Sequence, residues 1–518
     1  MNIRLSTIIL STSIAVSPLA RADVRLPKII SDHMVLQAGK PSTIWGWAEP
    51  KEDVTVTIAG KTAKTTANQD GKWSVKLEVP ASGSPLDMTV TGKNSLKVSD
   101  ILVGEVWICS GQSNMEWSLK QASTADTDIP AANFPAIRHF KVAKNAIATP
   151  QEDVLGEWQI CSPETAGNFT AVGFFFGREL HKELGTPIGL VGTNWGGTPA
   201  EAWTSWKALE ANPSFKSMLE RAEASAASYD PEKVKAAHEK ALADWKIKAQ
   251  AAKDEGKPAP RQPSAPVAPL VSPGRPANLY NGMIAPLLPL SIRGAIWYQG
   301  ESNVSRAHQY RTLFPTMIQN WRTDFAQGDF PFYFVQIAPF GYARGNANAD
   351  LTPCAELWDA QLNTLKTVTN TGMAVTMDIG NIQDIHPKNK ADVGHRLALW
   401  ALTKDYGKKN LVYSGPIYKS YTSDSSKIRL QFDHATGLKS KDGKALTHFT
   451  IAGEDQKFLA ANAQIDGDSI VVSAPEVTNP VAVRFAWRED AEPNLVNGAE
   501  LPASPFRTDN FKGVTEDK

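Results

Sequence analysis

The spacing of apolar and polar residues divides the chain into three stretches with different periods. From Val24 to about Ser99 the pattern alternates with period two: Thr43–Trp47, Val54–Ile58 and Trp73–Val79 read as strands, and Ala59-Gly60 and Asn68–Gly71 as turns. This predicts a small antiparallel β-sandwich. From Ile101 onward short apolar runs alternate with stretches of helical spacing. Ile101–Ile108, Ile188–Trp195, Gly294–Tyr298, Phe330–Ile337 and Met373–Met377 read as buried strands. Ala171–Leu184 (stopped by Gly185), Gln309–Phe325, Glu356–Val368 and Ala391–Thr403 read as helices. Strands alternating with helices predict an α/β domain with a mostly parallel sheet covered on both faces. After Gly407 the period returns to two, with strands at Lys427–Phe432, Ser469–Ser473 and Val481–Trp487, and a second β-sandwich is expected.

One segment interrupts the α/β pattern. Trp206 to about Lys253 is rich in Ala, Lys and Glu at helical spacing, and Pro258–Pro276 is rich in Pro, Ala and Ser. The expectation is a helical insertion with an irregular tail and a solvated charged face. The resulting division is 1–22, 23–100 (N-terminal sandwich), 101–205 and 277–407 (two parts of the α/β domain), 206–276 (insertion) and 408–518 (C-terminal sandwich). A chain of 518 residues fits this, being long enough for about two to four domains.

Composition narrows the function classes. The 54 Lys and Arg balance the 54 Asp and Glu, so nothing points to a nucleic-acid, polyanion or membrane-surface partner. Residues 1–22 have the form of a secretory signal: Arg4, an apolar run Leu5–Val16, and Ala20-Arg21-Ala22 before Asp23. No later segment is apolar enough to span a membrane, so a secreted or periplasmic protein is expected. Three cysteines, Cys109, Cys161 and Cys354, allow at most one disulfide, with Cys109–Cys161 one option and three buried thiols another. No H-E-x-x-H, paired C-x-x-C, P-loop or G-x-G-x-x-G occurs, so no metal or cofactor is expected.

Several predicted strands end in polar, glycine-bearing clusters. Ile101–Ile108 runs into Cys109-Ser110-Gly111-Gln112-Ser113-Asn114, and Ile188–Trp195 into Gly196-Gly197-Thr198. Gly294–Tyr298 runs into Gln299-Gly300-Glu301-Ser302-Asn303, and Met373–Met377 toward Gln383-Asp384-Ile385-His386-Pro387. A single cluster of this kind is a turn or a helix cap. Four at the carboxyl edge of one parallel sheet converge on a site. The residue types then suggest acyl transfer. A serine hydroxyl needs a base to become a nucleophile, and Ser113 with His386 fits that need. Asp384 is placed to orient the imidazole, with Asp378 as an alternative acid. The Ser113 amide, a glycine amide at Gly196 or Gly197, and a side-chain amide at Gln299 or Asn303 are candidate oxyanion donors. Asn114, Trp195 and Glu301, in the same clusters, are candidate substrate contacts. His308 and His395 are assigned to helices, and Glu301 and Arg306 have loop bracing as their plainer role. The G-x-S-x-G nucleophile elbow is absent, since Met115 occupies the second glycine position.

These clusters resemble the sialate O-acetylesterase family, a branch of the SGNH (GDSL-like) hydrolases. The resemblance lies in Gly111–Trp117, Asn194–Trp203, Trp297–Asn303 and Asp384–Lys390, and extends to Leu26–Gln37 and Leu501–Thr508. It implies a three-layer SGNH-hydrolase-like domain and a serine esterase that removes acetyl groups from sugar hydroxyls without metal or cofactor. It places the nucleophile on Ser113 and the histidine on His386. The superfamily's acid stands three positions before the histidine, where this chain has Gln383; Asp384 is two before. The superfamily's third block has asparagine after glycine, where this chain has Glu301, and Gln299 is the favoured side-chain donor. The implied substrate is an acetylated carbohydrate: sialic acid, or a plant-wall polysaccharide such as xyloglucan or xylan. Competing readings are a non-catalytic glycan-binding protein and a lipid or thioester hydrolase.

Overall fold

The computed structural model describes residues 23–80, 84–344, 346 and 348–518. The signal-like segment 1–22 lies outside the described residues. The core is a mixed α/β unit around one mostly parallel sheet, with further antiparallel sheets in the C-terminal region.

Seven strands make the central path. In chain order they are β1 (Ser95–Gly111), β2 (Phe134–Lys141), β3 (Trp158–Cys161), β4 (Ile188–Asn194), β5 (Gly294–Tyr298), β6 (Phe332–Gln336) and β7 (Thr371–Val375). Their spatial order is β7-β6-β5-β1-β4-β2-β3, parallel throughout except for the antiparallel pair β2–β3. Neither β2 nor β3 stands out as a pattern. Pro135 interrupts the first, and its buried Arg138 and His139 hide the apolar signal.

Side chains on a strand alternate between faces, and the aromatic contacts show what covers each face. Tyr333 lies 6.5 Å from Trp400 and 5.9 Å from Trp107, which in turn meets Phe176 at 5.0 Å. That face therefore carries helices Ala171–Leu184 and Lys390–Lys404. Phe332 and Phe334 point the other way and meet Phe314, at 6.1 and 5.0 Å, on helix Ala307–Phe325. Trp107, Trp297, Tyr333 and Phe314 are fully buried. Each large apolar side chain of this kind contributes roughly 1.5–3 kcal/mol by leaving water. The sheet is thus held from both sides, as its near-continuous apolar strands require.

β1 is longer than its apolar run. Its first part pairs antiparallel with Leu86–Thr91 in the N-terminal region, and its second part runs parallel to β4 and β5. One strand therefore crosses the expected boundary between residues 100 and 101. At the crossing Asp100 adopts a left-handed backbone (φ 56°), and its carboxylate accepts from Arg138 at 2.8 Å. N-terminal strands Ser42–Trp47 and Lys72–Leu77 pair antiparallel, as do Asp53–Ile58 and Lys61–Thr66. The insertion forms helices Lys216–Ala227 and Pro231–Asp254, the second with no buried residue. Beyond it, Pro258–Pro276 contains only a short 3-10 turn at Pro269–Val271.

The C-terminal strands form two antiparallel four-stranded sheets and a two-stranded one. The tail then returns to the core: Val514 and Thr515 amides donate to the Glu356 carboxylate, at 2.6 and 3.1 Å. The three cysteines are buried and free, so the possible Cys109–Cys161 bridge is absent; the Cys161 thiol donates instead to the Ala132 carbonyl at 3.6 Å.

The sheet predicts its own weak point. Gly111 ends β1 at φ 135°, and a Cβ there would lie 2.2 Å from the Tyr298 carbonyl oxygen. Gly111→Ala is expected to cost about 2 kcal/mol or more through strain and overpacking. A thermal unfolding midpoint equal to that of the unsubstituted protein would contradict this account of the strand edge.

Candidate active site

Three strands end level with one another. Gly111 pairs with Asn194 on one side and Tyr298 on the other. Their following loops are therefore delivered to one edge, and backbone bonds tie them together. Gln112 N–H donates to the Tyr298 carbonyl and Trp195 N–H to the Gly111 carbonyl, each at 3.0 Å. After Gly111 the chain turns at Gln112 and enters a single helical turn, Ser113–Glu116.

Ser113 and His386 meet at this edge although 273 residues separate them, with Ser113 Oγ 2.8 Å from His386 Nε2. Both side chains are partly exposed. The ring of Trp117 stacks on the imidazole, with centroids 5.1 Å apart and planes 22° apart. Burial, and then the Lys390 charge, hold His386 below the ordinary histidine range, while Asp384 pulls the other way. A neutral imidazole beside a serine hydroxyl is the state that accepts its proton.

Asp384 adjoins the histidine without a side-chain hydrogen bond to it. Its Oδ1 accepts from the backbone N–H of His386 at 3.0 Å and stands 3.8 Å from Nδ1. Its attraction for the ring is therefore Coulombic, and its hydrogen bond shapes the loop. Asp378, the alternative, is held by Arg396 through contacts of 2.7 and 2.8 Å. Gln383 is exposed. His395 pairs with Glu179, and His308 lies 3.9 Å from Glu516.

The expected oxyanion donors divide. Gly196 lies against Ser113: a Cβ on Gly196 would be 3.1 Å from the Ser113 Cβ. Its N–H, however, donates to Glu116 Oε2 at 2.8 Å. Gly197 has φ 75° and faces open space. The side-chain amides of Gln299 and Asn303 bond to other partners in this structure. Gln299 is fully buried, and its Nε2 donates to Asn303 Oδ1 (2.6 Å) and the Thr198 carbonyl (3.3 Å). Asn303 Nδ2 donates to Glu201 Oε2 at 3.0 Å, and Arg306 completes that carboxylate at 2.6 Å. These amides fasten the second loop to the third, and with both its N–H groups engaged Gln299 has none left for an oxyanion.

The expected substrate contacts divide likewise. Trp195 is partly exposed, with the Lys144 ammonium 5.3 Å from its ring centre. Asn114 is 1% exposed and donates to Glu301 Oε1 at 2.6 Å and to the Ile385 carbonyl at 3.0 Å. Asn114 and the Glu301 carboxylate thus form a buried brace instead of a contact surface. Three neighbours went unselected in the sequence: Glu116, Trp117 and Lys390. Each lies inside a motif already singled out, but their types alone (a carboxylate, a tryptophan, a lysine) carry no signal of burial. Among the described residues no group of three or more His, Cys, Asp or Glu side chains is placed to hold a metal ion.

The comparisons with known proteins agree with one another. The family described as carbohydrate esterase, sialic acid-specific acetylesterase, matches residues 103–237 and 272–403. Sialate O-acetylesterase of Rattus norvegicus is 29% identical over 503 residues, covering 89% of this chain and 89% of its own. That of Homo sapiens is 29% identical over 539 residues, covering 93% and 92%. A crystal structure of a carbohydrate acetylesterase from Xanthomonas citri aligns with TM-score 0.78 and 39% identity, over 94% of this chain and 100% of the other. The matched segments contain the Ser113 and His386 loops and leave out residues 238–271 of the insertion. The chain belongs to the sialic acid-specific acetylesterase family of carbohydrate esterases, and it is a carboxylic ester hydrolase.

Proposed function

We propose that this esterase removes acetyl groups from the hydroxyls of a carbohydrate, with Ser113 as nucleophile and His386 as general base. The observation that carries the reading is the 2.8 Å approach of Ser113 Oγ to His386 Nε2 at the carboxyl edge of the sheet. In this mechanism His386 Nε2 takes the hydroxyl proton as Ser113 Oγ attacks the acetyl carbonyl. The carbonyl π electrons move to oxygen, and the resulting oxyanion is held by the N–H groups of Ser113 and Gly197. Collapse breaks the ester bond, and the sugar oxygen leaves with the proton from His386. Water, deprotonated in turn by His386, then releases acetate from the acetyl-serine. Asp384 supports the imidazolium through space at 3.8 Å.

In this reading the helix-covered sheet is a three-layer SGNH-hydrolase-like core, and the N- and C-terminal antiparallel regions are β-sandwich domains flanking it. Partly exposed Trp195 is a contact for the sugar. The leader-like pattern of residues 1–22 supports export to the periplasm or beyond the cell. Acetylated sialic acid and acetylated plant-wall glycans are the two substrate classes to separate.

Two measurements test this. Ser113→Ala is expected to lower acetate release by at least about a thousandfold, with folding unchanged. Assayed side by side on acetylated sialic acid and on acetylated xyloglucan or xylan fragments, the unsubstituted protein should act on one class. Full activity in Ser113→Ala would overturn the assignment. In the second, His386 followed by NMR is expected to titrate below the ordinary histidine value. Asp384→Asn should lower it further, because the substitution removes the one charge that favours the imidazolium. A rise on that substitution would refute the through-space role of Asp384.

A further inference from the structure

A buried charge pair lies behind the serine and the histidine. Lys390 opens helix Lys390–Lys404 and is fully buried. Its Nζ donates to Asn114 Oδ1 at 2.5 Å and lies 5.0 Å from the ring centre of Tyr298 and 5.8 Å from that of Trp117. On the far side of Asn114, Nδ2 donates to Glu301 Oε1, while Glu301 Oε2 is buried with no hydrogen-bond partner. The Asn114 amide therefore sits between an ammonium and a carboxylate, with its oxygen toward the cation and its nitrogen toward the anion.

This arrangement is expensive for a fold. A buried ammonium with one hydrogen bond and a carboxylate with one empty oxygen recover only part of their lost hydration. Its position suggests what offsets that cost. Asn114 follows Ser113 directly. The same Nδ2 donates to the carbonyl of Ile385, which precedes His386. Trp117, stacked on the imidazole, is the ring beside which the Lys390 ammonium rests. The pair thus reaches both sides of the Ser113–His386 contact through Asn114 and Trp117.

We infer that Lys390, acting through Asn114 and Glu301, is a positioning residue that clamps the Ser113 turn to the His386 loop. The inference rests on Ser113 and His386 being nucleophile and base. The charged and titratable groups facing His386 are Asp384 from its own loop, Lys390 from the following helix and the Ser113 hydroxyl. Those facing Lys390 are Glu301, Asp384 and the Tyr298 phenol. The positive charge of Lys390 opposes a second positive charge on His386, and Asp384 favours it. Burial brings Lys390 itself down to about 7, against the pull of Glu301 and Asp384. Its charge therefore acts most strongly on the acid side of neutrality, where the imidazole would otherwise be protonated.

The test is steady-state hydrolysis of a small acetyl ester across the pH range by full-length Lys390→Met, Glu301→Gln, the double variant and Ser113→Ala, each checked for folding by circular dichroism. Lys390→Met is expected to lower kcat at least about tenfold with KM within about twofold. Its acid limb of kcat/KM should move to higher pH, because without the neighbouring cation the imidazole protonates more readily and the base is lost sooner. Glu301→Gln keeps the side-chain shape and should also lower kcat with little change in KM. The double variant should lose less than the product of the two single losses, since the partners act as a unit. Unsubstituted kcat and an unmoved acid limb in folded Lys390→Met would overturn the inference. If Lys390→Met does not fold, unsubstituted kcat in Glu301→Gln would overturn it. Ser113→Ala separates the two claims. Retained acetate release there overturns the nucleophile assignment, whereas an inactive Ser113→Ala beside an unaltered Lys390→Met removes only the role of Lys390.

Discussion

The level ending of three parallel strands at Gly111 is the constraint on which the rest of the site depends. Gly111, Asn194 and Tyr298 stand side by side in register. The Tyr298 carbonyl approaches Gly111 so closely that no side chain fits there. The backbone can therefore turn at Gln112 and present Ser113 at the edge, between the loops that follow β4 and β5. Register in a parallel sheet is fixed by its two buried faces, so the aromatic layers around Trp107 and Trp297 set this geometry as much as the loops do. The geometry of this edge is a consequence of packing well away from Ser113 and His386.

Around that edge, buried polar side chains do the fastening. Gln299, Asn303, Glu201 and Arg306 form one hydrogen-bonded set between the second and third loops. Glu116 links the Ser113 turn to the Gly196 amide and to Lys144, at 2.8 and 2.6 Å. Asn114 joins the Ser113 turn to the third loop and to the histidine loop. Each buried polar group is costly unless its partners are in place, so each loop has one favoured position. The groups this edge presents to solvent include the Ser113 hydroxyl, the His386 imidazole and the backbone at Gly197.

Much of this was legible in the residue pattern. Helix Ala171–Leu184 and strand Gly294–Tyr298 have the predicted bounds, because both carry an uninterrupted period and clear ends: Gly185 at φ 64° stops the helix as expected. Strand β2 escaped because its buried positions include Arg138 and His139, polar residues whose burial only tertiary contacts explain, and β3 because it has only four residues, the middle two partly buried. The four loop clusters were visible, and so was their convergence. The division of labour within them was not. Gln299 looked like a donor and its amide bonds to the Thr198 carbonyl, and Asn114 and Glu301 looked like substrate contacts and bond to each other. Amides and carboxylates read alike in a sequence whether they face substrate or each other. Lys390 was hidden for the same reason, since a lysine at a helix start is ordinarily solvated.

The central claim is that Ser113 carries the acetyl group between attack and hydrolysis. The most direct measurement is rapid quenching of the enzyme with an acetyl ester in excess, followed by peptide mapping by mass spectrometry. The account predicts one transient acetyl group, on the peptide that contains Ser113, appearing before steady-state acetate release. Acetate release with no acetylated peptide, or with the acetyl group on another residue, would contradict it.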